Sequence, residues 1–179
     1  MTLNIIYDID KIENGWFLSK FTYGTEKVII PASHFTGIDS PKYFLRILSI
    51  LTLNQFDNGY VIFDGETETF FLCIKKIPKV EMEIFYSNLH YNEISGLLPV
   101  NASTGTNAFG NLSKEELKRK IPVGNVLFSA ENFKWDTFAT DVLGTFEIYL
   151  PRRKKNKYNG NWFEFPMTEL RELKYSLSL

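Results

Sequence analysis

The chain has 179 residues, 44% hydrophobic and 23% charged, with a formal net charge of -1. That length suits one domain with a sizeable core, and the near-neutral balance excludes a generally basic polyanion binder and a strongly acidic disordered chain. One cysteine excludes an internal disulfide framework. No apolar run reaches the roughly 18 residues of a membrane helix, and the acidic start lacks a signal-peptide pattern, so the expected compartment is the cytoplasm. Residues 1–100 carry 8 Lys/Arg against 12 Asp/Glu, a net of -4, and residues 101–179 carry 12 against 9, a net of +3.

In chain order, Leu3–Tyr7 reads as a short strand. Asn14-Gly15 signals a tight turn, and Trp16–Tyr23 then alternates with Phe17, Ser19, Phe21 and Tyr23 on one face. Glu26–Ile30 is a third strand, closed by Pro31, which cannot donate to a ladder. Asp39-Ser40-Pro41 starts a helix, with a capping side chain and a proline in the first turn. From Lys42 to Leu53 only Lys42, Arg46 and Ser49 make a polar edge, so this helix must be covered on most sides by the sheet. Turns at Asp57-Asn58-Gly59 and Asp64-Gly65-Glu66 bracket a strand Tyr60–Asp64. Thr67–Lys75 is a continuous apolar strand, and Val80–Tyr86 alternates cleanly, which predicts one buried face and one mostly wet face.

Residues 95–111 are rich in Gly, Asn, Ser and Thr and read as a long loop. Ser113 with Glu116 is a capping-box pattern for a short helix. Asn125–Ser129 is a candidate strand, Asn132 to about Tyr149 has helical spacing, Arg152–Lys157 reads as a loop, and Met167–Leu177 as a terminal amphipathic helix. The expected fold is α+β: one domain over 1–179, with a 1–88 sheet-helix-sheet core, an 89–112 loop and a helical 113–179 part. Its antiparallel sheet has about five or six strands and packs on the helix at 40–54.

Chemistry-bearing residues are sparse. Asp8, Asp10 and nearby Glu13 have the hard oxygens that bind a divalent cation, and equally suit a polar strand end. The two histidines, His34 and His90, are far apart, and Cys73 sits in the most apolar strand, where a thiol packs rather than reacts. Gly105 and Gly110 lack the Gly-Lys-Ser/Thr of a phosphate loop. No cofactor or metal is expected. Arg152, Arg153, Lys154, Lys155 and Lys157, with Tyr158 and Trp162, fit either a single-stranded nucleic-acid clamp or a solvated run after a helix C-terminus, where cations are favoured. Asp57, Asp64, Glu66 and Glu68, with Glu81 and Glu83 on a neighbouring strand, are read as carboxylates of one surface, suited either to a basic partner or to solubility.

Gly15-Trp16, Pro31-Ala32-Ser33-His34-Phe35, the helix Ser40–Leu53, Glu68-x-Phe70 and Val80–Tyr86 occur in an order that resembles a family of bacterial immunity proteins. The tail Tyr158…Trp162…Phe165-Pro166…Leu170-x-x-Leu173 is also similar. Such proteins are carried beside polymorphic toxins, including those of contact-dependent growth inhibition systems. The resemblance covers most of the chain outside 95–111. It implies a non-catalytic cytoplasmic protein that binds one cognate toxin domain and occludes its active site or substrate surface. Two other readings stay open: a ligand-binding protein or enzyme with a sheet-helix pocket using His34, Asp8 and Asp10, and a nucleic-acid-binding accessory protein using residues 152–162.

Overall fold

The computed structural model describes residues 4–102 and 104–179, so the Leu3 start of the first expected strand lies outside the described residues. The fold is α+β, with two antiparallel sheets where the sequence reading has one. β1 (Ile5–Glu13) and β2 (Trp16–Tyr23) form a hairpin closed by Asn14 and Gly15, at φ of 50° and 80°. Those two positive values are what a two-residue turn of this hand requires. A Cβ on Gly15 would also collide with the imidazole of His34. β3 (Glu26–Ser33) completes the first sheet, in the order β1-β2-β3. Pro31 lies inside β3, opposite Leu18, rather than closing it. As an edge strand, β3 tolerates the missing N–H.

The chain then leaves this sheet through α1 (Ser40–Thr52), whose Asp39 cap accepts from the Lys42 amide at 3.4 Å. Phe44, Leu45, Ile47, Leu48 and Leu51 of α1 are fully buried. The helix lies between the two sheets: the ring of Phe44 is 5.2 Å from Tyr7 and 5.9 Å from Phe21 on one side, and 6.3 Å from Phe63 on the other. The second sheet holds β4 (Asn58–Asp64), β5 (Thr69–Lys75), β6 (Glu81–Ser87), β7 (Phe109–Gly110) and β8 (Val126–Glu131), in the order β7-β4-β5-β6-β8.

Strand alternation gives this second sheet two apolar faces. Val61, Phe63, Phe70, Leu72, Ile74, Met82, Ile84, Phe128 and Ala130 enter the main core. Tyr60, Ile62, Phe71, Cys73 and Phe85 enter a second core with Ile94 of α2 (Tyr91–Ser95) and Leu117 of α3 (Lys114–Lys120). The face of β6 expected to be wet is therefore covered. The 95–111 segment is likewise no free loop. The Ala108 carbonyl accepts from the Ile62 amide at 2.8 Å, and Asn107 accepts through its carbonyl from the Tyr60 hydroxyl at 3.1 Å.

α4 (Trp135–Glu147) buries Trp135, Phe138, Ala139, Val142, Leu143 and Phe146, one helical stripe. It also covers the outer edge of β1. Asp141 accepts from the Tyr7 amide at 2.7 Å and the Thr145 hydroxyl donates to the Tyr7 carbonyl at 3.1 Å, which satisfies the backbone of Tyr7 at the middle of this edge and hinders pairing there with another strand. Residues 152–161, read as beginning with a loop, form α5 (Arg152–Asn161), and α6 (Met167–Ser176) packs on α1. The main core draws on residues from Ile5 to Leu173. No helix among the described residues is long and apolar enough to cross a membrane.

Candidate functional site

The six carboxylates read as one acidic surface do not share one. β4 runs between the two turns that carry them, so Asp57 and Asp64 stand roughly 20 Å apart at opposite ends of a strand. Register places Glu81 opposite Lys75, itself opposite Asn58, and so at the Asp57 end. Most of these acids are also engaged. Asp64 is only 1% exposed; its Oδ1 accepts from the Glu66 amide at 3.0 Å, and burial pushes its carboxyl above the usual range. Glu66 accepts from the Ser33 hydroxyl at 2.6 Å, and Glu68 is half-buried. Glu81 is 3.8 Å from Lys79. Burial opposes the charge on Glu83, but hydrogen bonds from Lys118 at 2.5 Å and Lys114 at 2.9 Å outweigh it and hold its carboxyl below the usual range. Asp57 is exposed.

His34, Asp8 and Asp10 do not converge either. His34 follows Ser33, which faces Trp16, while Asp8 pairs with Lys20, four residues further along β2. That separation is about 13 Å along the strand. His34 is tied to the Gly15 carbonyl at 3.2 Å and packed against Phe35, Trp162 and Phe163. Asp8 bonds Lys20 at 3.2 Å, and a bulge between Ile9 and Lys11 displaces Asp10 from regular pairing. His90 contacts the Glu66 carbonyl through Nδ1, and its amide donates to Glu93 at 2.9 Å. Cys73 is buried, which raises its thiol pKa. Among the described residues no group of three His, Cys, Asp or Glu is placed to hold a metal.

A cleft of about 500 Å³ opens where α1 meets the α5–α6 connection, with Asp39, Lys42, Tyr43, Phe163 and Glu169 on its walls. Burial pushes Asp39 up to about 6, against a hydrogen bond from the Trp162 indole at 3.1 Å. Buried Glu169 is 3.8 Å from Lys42. The polar groups here are engaged with one another and join α1 to the C-terminal helices.

Two surfaces stand out among the described residues. The first is the outer face of β1-β2-β3. There Ile6 is 56% and Ile29 39% exposed, with half-buried Trp16, Leu18 and Pro31, and none of the five belongs to either core. Leu18 faces Pro31 across the sheet, with Trp16 and Ile29 at the next outward positions, so these four are neighbours; Ile6 faces Thr22 and is set apart from them by Asp8 and Lys20. Trp16 and Leu18 also line a shallow depression with Lys11 and Glu13.

The second surface is α5, where the structure corrects both expectations for the basic run. It is the start of a helix rather than a loop after one, and the aromatics that would make a nucleic-acid clamp are buried: Tyr158 packs on Phe17, Tyr149 and Phe165, and Trp162 is bonded to Asp39. Arg152, Arg153, Lys154, Lys155 and Lys157 make no ion pair among the described residues. The sequence signal for this helix was the Pro151 that precedes it, since apolar periodicity is lacking. No known protein family, curated protein or solved structure matches the chain.

Proposed function

We propose that this chain is an immunity-type binding protein, which engages one cognate toxin domain and occludes its active site or its access to substrate. The observation that carries the reading is the outer face of the three-stranded sheet, where Trp16, Leu18, Ile29 and Pro31 adjoin one another outside both cores and Ile6 is exposed further along β1. Apolar side chains clustered on a surface, with charged neighbours such as Asp8 and Lys20 between them, suit contact with another macromolecule. The groups able to do covalent or acid–base chemistry support the same reading by their positions. His34 and His90 are engaged with backbone carbonyls at separate places, and Cys73 is held neutral inside the second core.

The test is co-expression with the C-terminal domain of the polypeptide encoded directly upstream, scored by growth and by co-purification. The reading expects survival and a stable one-to-one complex. Unprotected cells together with no complex would refute it.

A further inference from the structure

The outer sheet face is too small for a tight complex. Three strands of about eight residues cover roughly 14 by 26 Å, on the order of 400 Å², against about 800 Å² per partner in a standard interface. A second element has to contribute, and the β1 edge of this sheet supplies a candidate. The last residue of α5 is fastened to the β1–β2 turn: the Asn161 carbonyl accepts from the Gly15 amide at 3.0 Å, and its side chain from the Asn14 amide at 3.2 Å.

The charge on α5 has no folding rationale. Its ten residues, RRKKNKYNGN, contain no carboxylate, and four of its five cations stand in the first turn. There the helix dipole is already positive, and cations are destabilising rather than favoured. Outside α5, Lys11, Lys20, Lys42, Lys79, Lys114, Lys118 and Lys174 meet a carboxylate, while Lys27, Lys75, Lys76, Lys120 and Lys134 meet none among the described residues, and these unpaired lysines are not gathered on one helix. On α5 none of the five is paired. At the corner leading into α5, Ile148 is 55% and Leu150 39% exposed.

We propose that α5, with Ile148 and Leu150, is the second half of the partner interface and that it receives an acidic protein surface with apolar groups at its margin. The inference rests on the binding reading above and reverses the sign of charge expected of the partner there. A protein is favoured over nucleic acid for two reasons. The rings of this segment, Tyr158 and Trp162, are buried and offer no base a stacking surface. The exposed aliphatic pair beside the cations matches a protein margin rather than phosphate. Opposed unpaired charges accelerate encounter and make affinity fall with salt.

The experiment measures binding of the whole protein and of the triple variant Arg152→Glu/Arg153→Glu/Lys157→Glu to four immobilised probes: the upstream-encoded C-terminal domain, poly-L-glutamate, a short DNA duplex and vesicles containing phosphatidylserine. Glutamates at 152 and 153, in the first helical turn, favour the dipole, so the variant keeps its helix, which circular dichroism checks; a neutral Ala triple serves as a second variant. The expected result is that wild type binds the toxin domain and, more weakly, poly-glutamate, while the Glu triple loses at least about tenfold for both. Unchanged affinity of both triples for the toxin domain overturns the α5 inference and leaves the binding reading standing. Binding of wild type to poly-glutamate through α5, with no affinity for the toxin domain, removes the binding reading and keeps the acidic specificity. Stronger α5-dependent binding to duplex or vesicles than to either acidic probe overturns the choice of a protein partner.

Discussion

In the five-stranded sheet Tyr60, Ile62, Phe71, Cys73 and Phe85 turn away from the main core and enter a second one beneath α2 and α3. In the three-stranded sheet the equivalent outward positions, Ile6, Trp16, Leu18, Ile29 and Pro31, enter none. Burying a large apolar side chain contributes about 1.5–3 kcal/mol, so the outward residues of the first group hold the fold together. Those of the second group, exposed at Ile6 and Ile29 and half-buried at Trp16, Leu18 and Pro31, contribute less. Apolar residues that neither core holds, set in strands whose other face is fully packed, are what a contact surface requires.

Substitutions that separate the two sheets should show this contrast most strongly. Phe44 joins both sheets through Tyr7, Phe21 and Phe63, and also meets Phe138 of α4. Phe44→Ala should cost about 3–5 kcal/mol and Leu117→Ala, in the second core, about 2–4 kcal/mol by urea denaturation. A loss below about 1 kcal/mol at Leu117 would mean that the second core does not secure the outward face of the larger sheet.

The next effect depends on pH. Asp39 is raised from its ordinary 3.8 to about 6, so between those values the native state keeps a proton that the unfolded chain releases. Stability should therefore fall by about 2–3 kcal/mol as pH rises from about 4 to about 6. Asp39→Asn should flatten that slope while keeping the acceptor for Trp162. An identical slope in the variant would show that Asp39 does not titrate there. Smaller still, Glu83→Gln leaves Lys114 and Lys118 without their carboxylate and should cost about 1 kcal/mol at neutral pH. A neutral or stabilising outcome would mean that the two ion pairs contribute nothing to holding α3 on the sheet.

Much of the frame was legible where local chemistry decides structure. Asn14-Gly15 specified a hairpin, Asp39-Ser40-Pro41 started α1, and the Ser113–Glu116 capping box started α3. The division into two sheets was not legible, because nothing local tells β3 whether to hydrogen-bond to β4 or to pack beside it unpaired. The second core was half visible: the continuous apolar run of β5 implies cover on both faces, but that cover comes from residues 91–121, which read as a loop over 95–111 and a short capped helix after Ser113. α5 was misread because RRKKNKYNGN has one buried side chain, Tyr158, and so no apolar period. The acidic site failed on register. Acids adjacent in sequence order were divided by the length of β4, and Glu83 found its two lysines on a helix more than thirty residues away.

The measurement that bears most directly on the contact surface is made on the double variant Trp16→Ala/Ile29→Ala, with urea denaturation and binding to the upstream-encoded toxin domain recorded on the same preparation. Half-buried Trp16 and exposed Ile29, both outside the two cores, predict a stability loss of no more than about 2 kcal/mol, together with a loss of affinity of at least about a hundredfold. Wild-type affinity in a normally folded variant would contradict the assignment of this face.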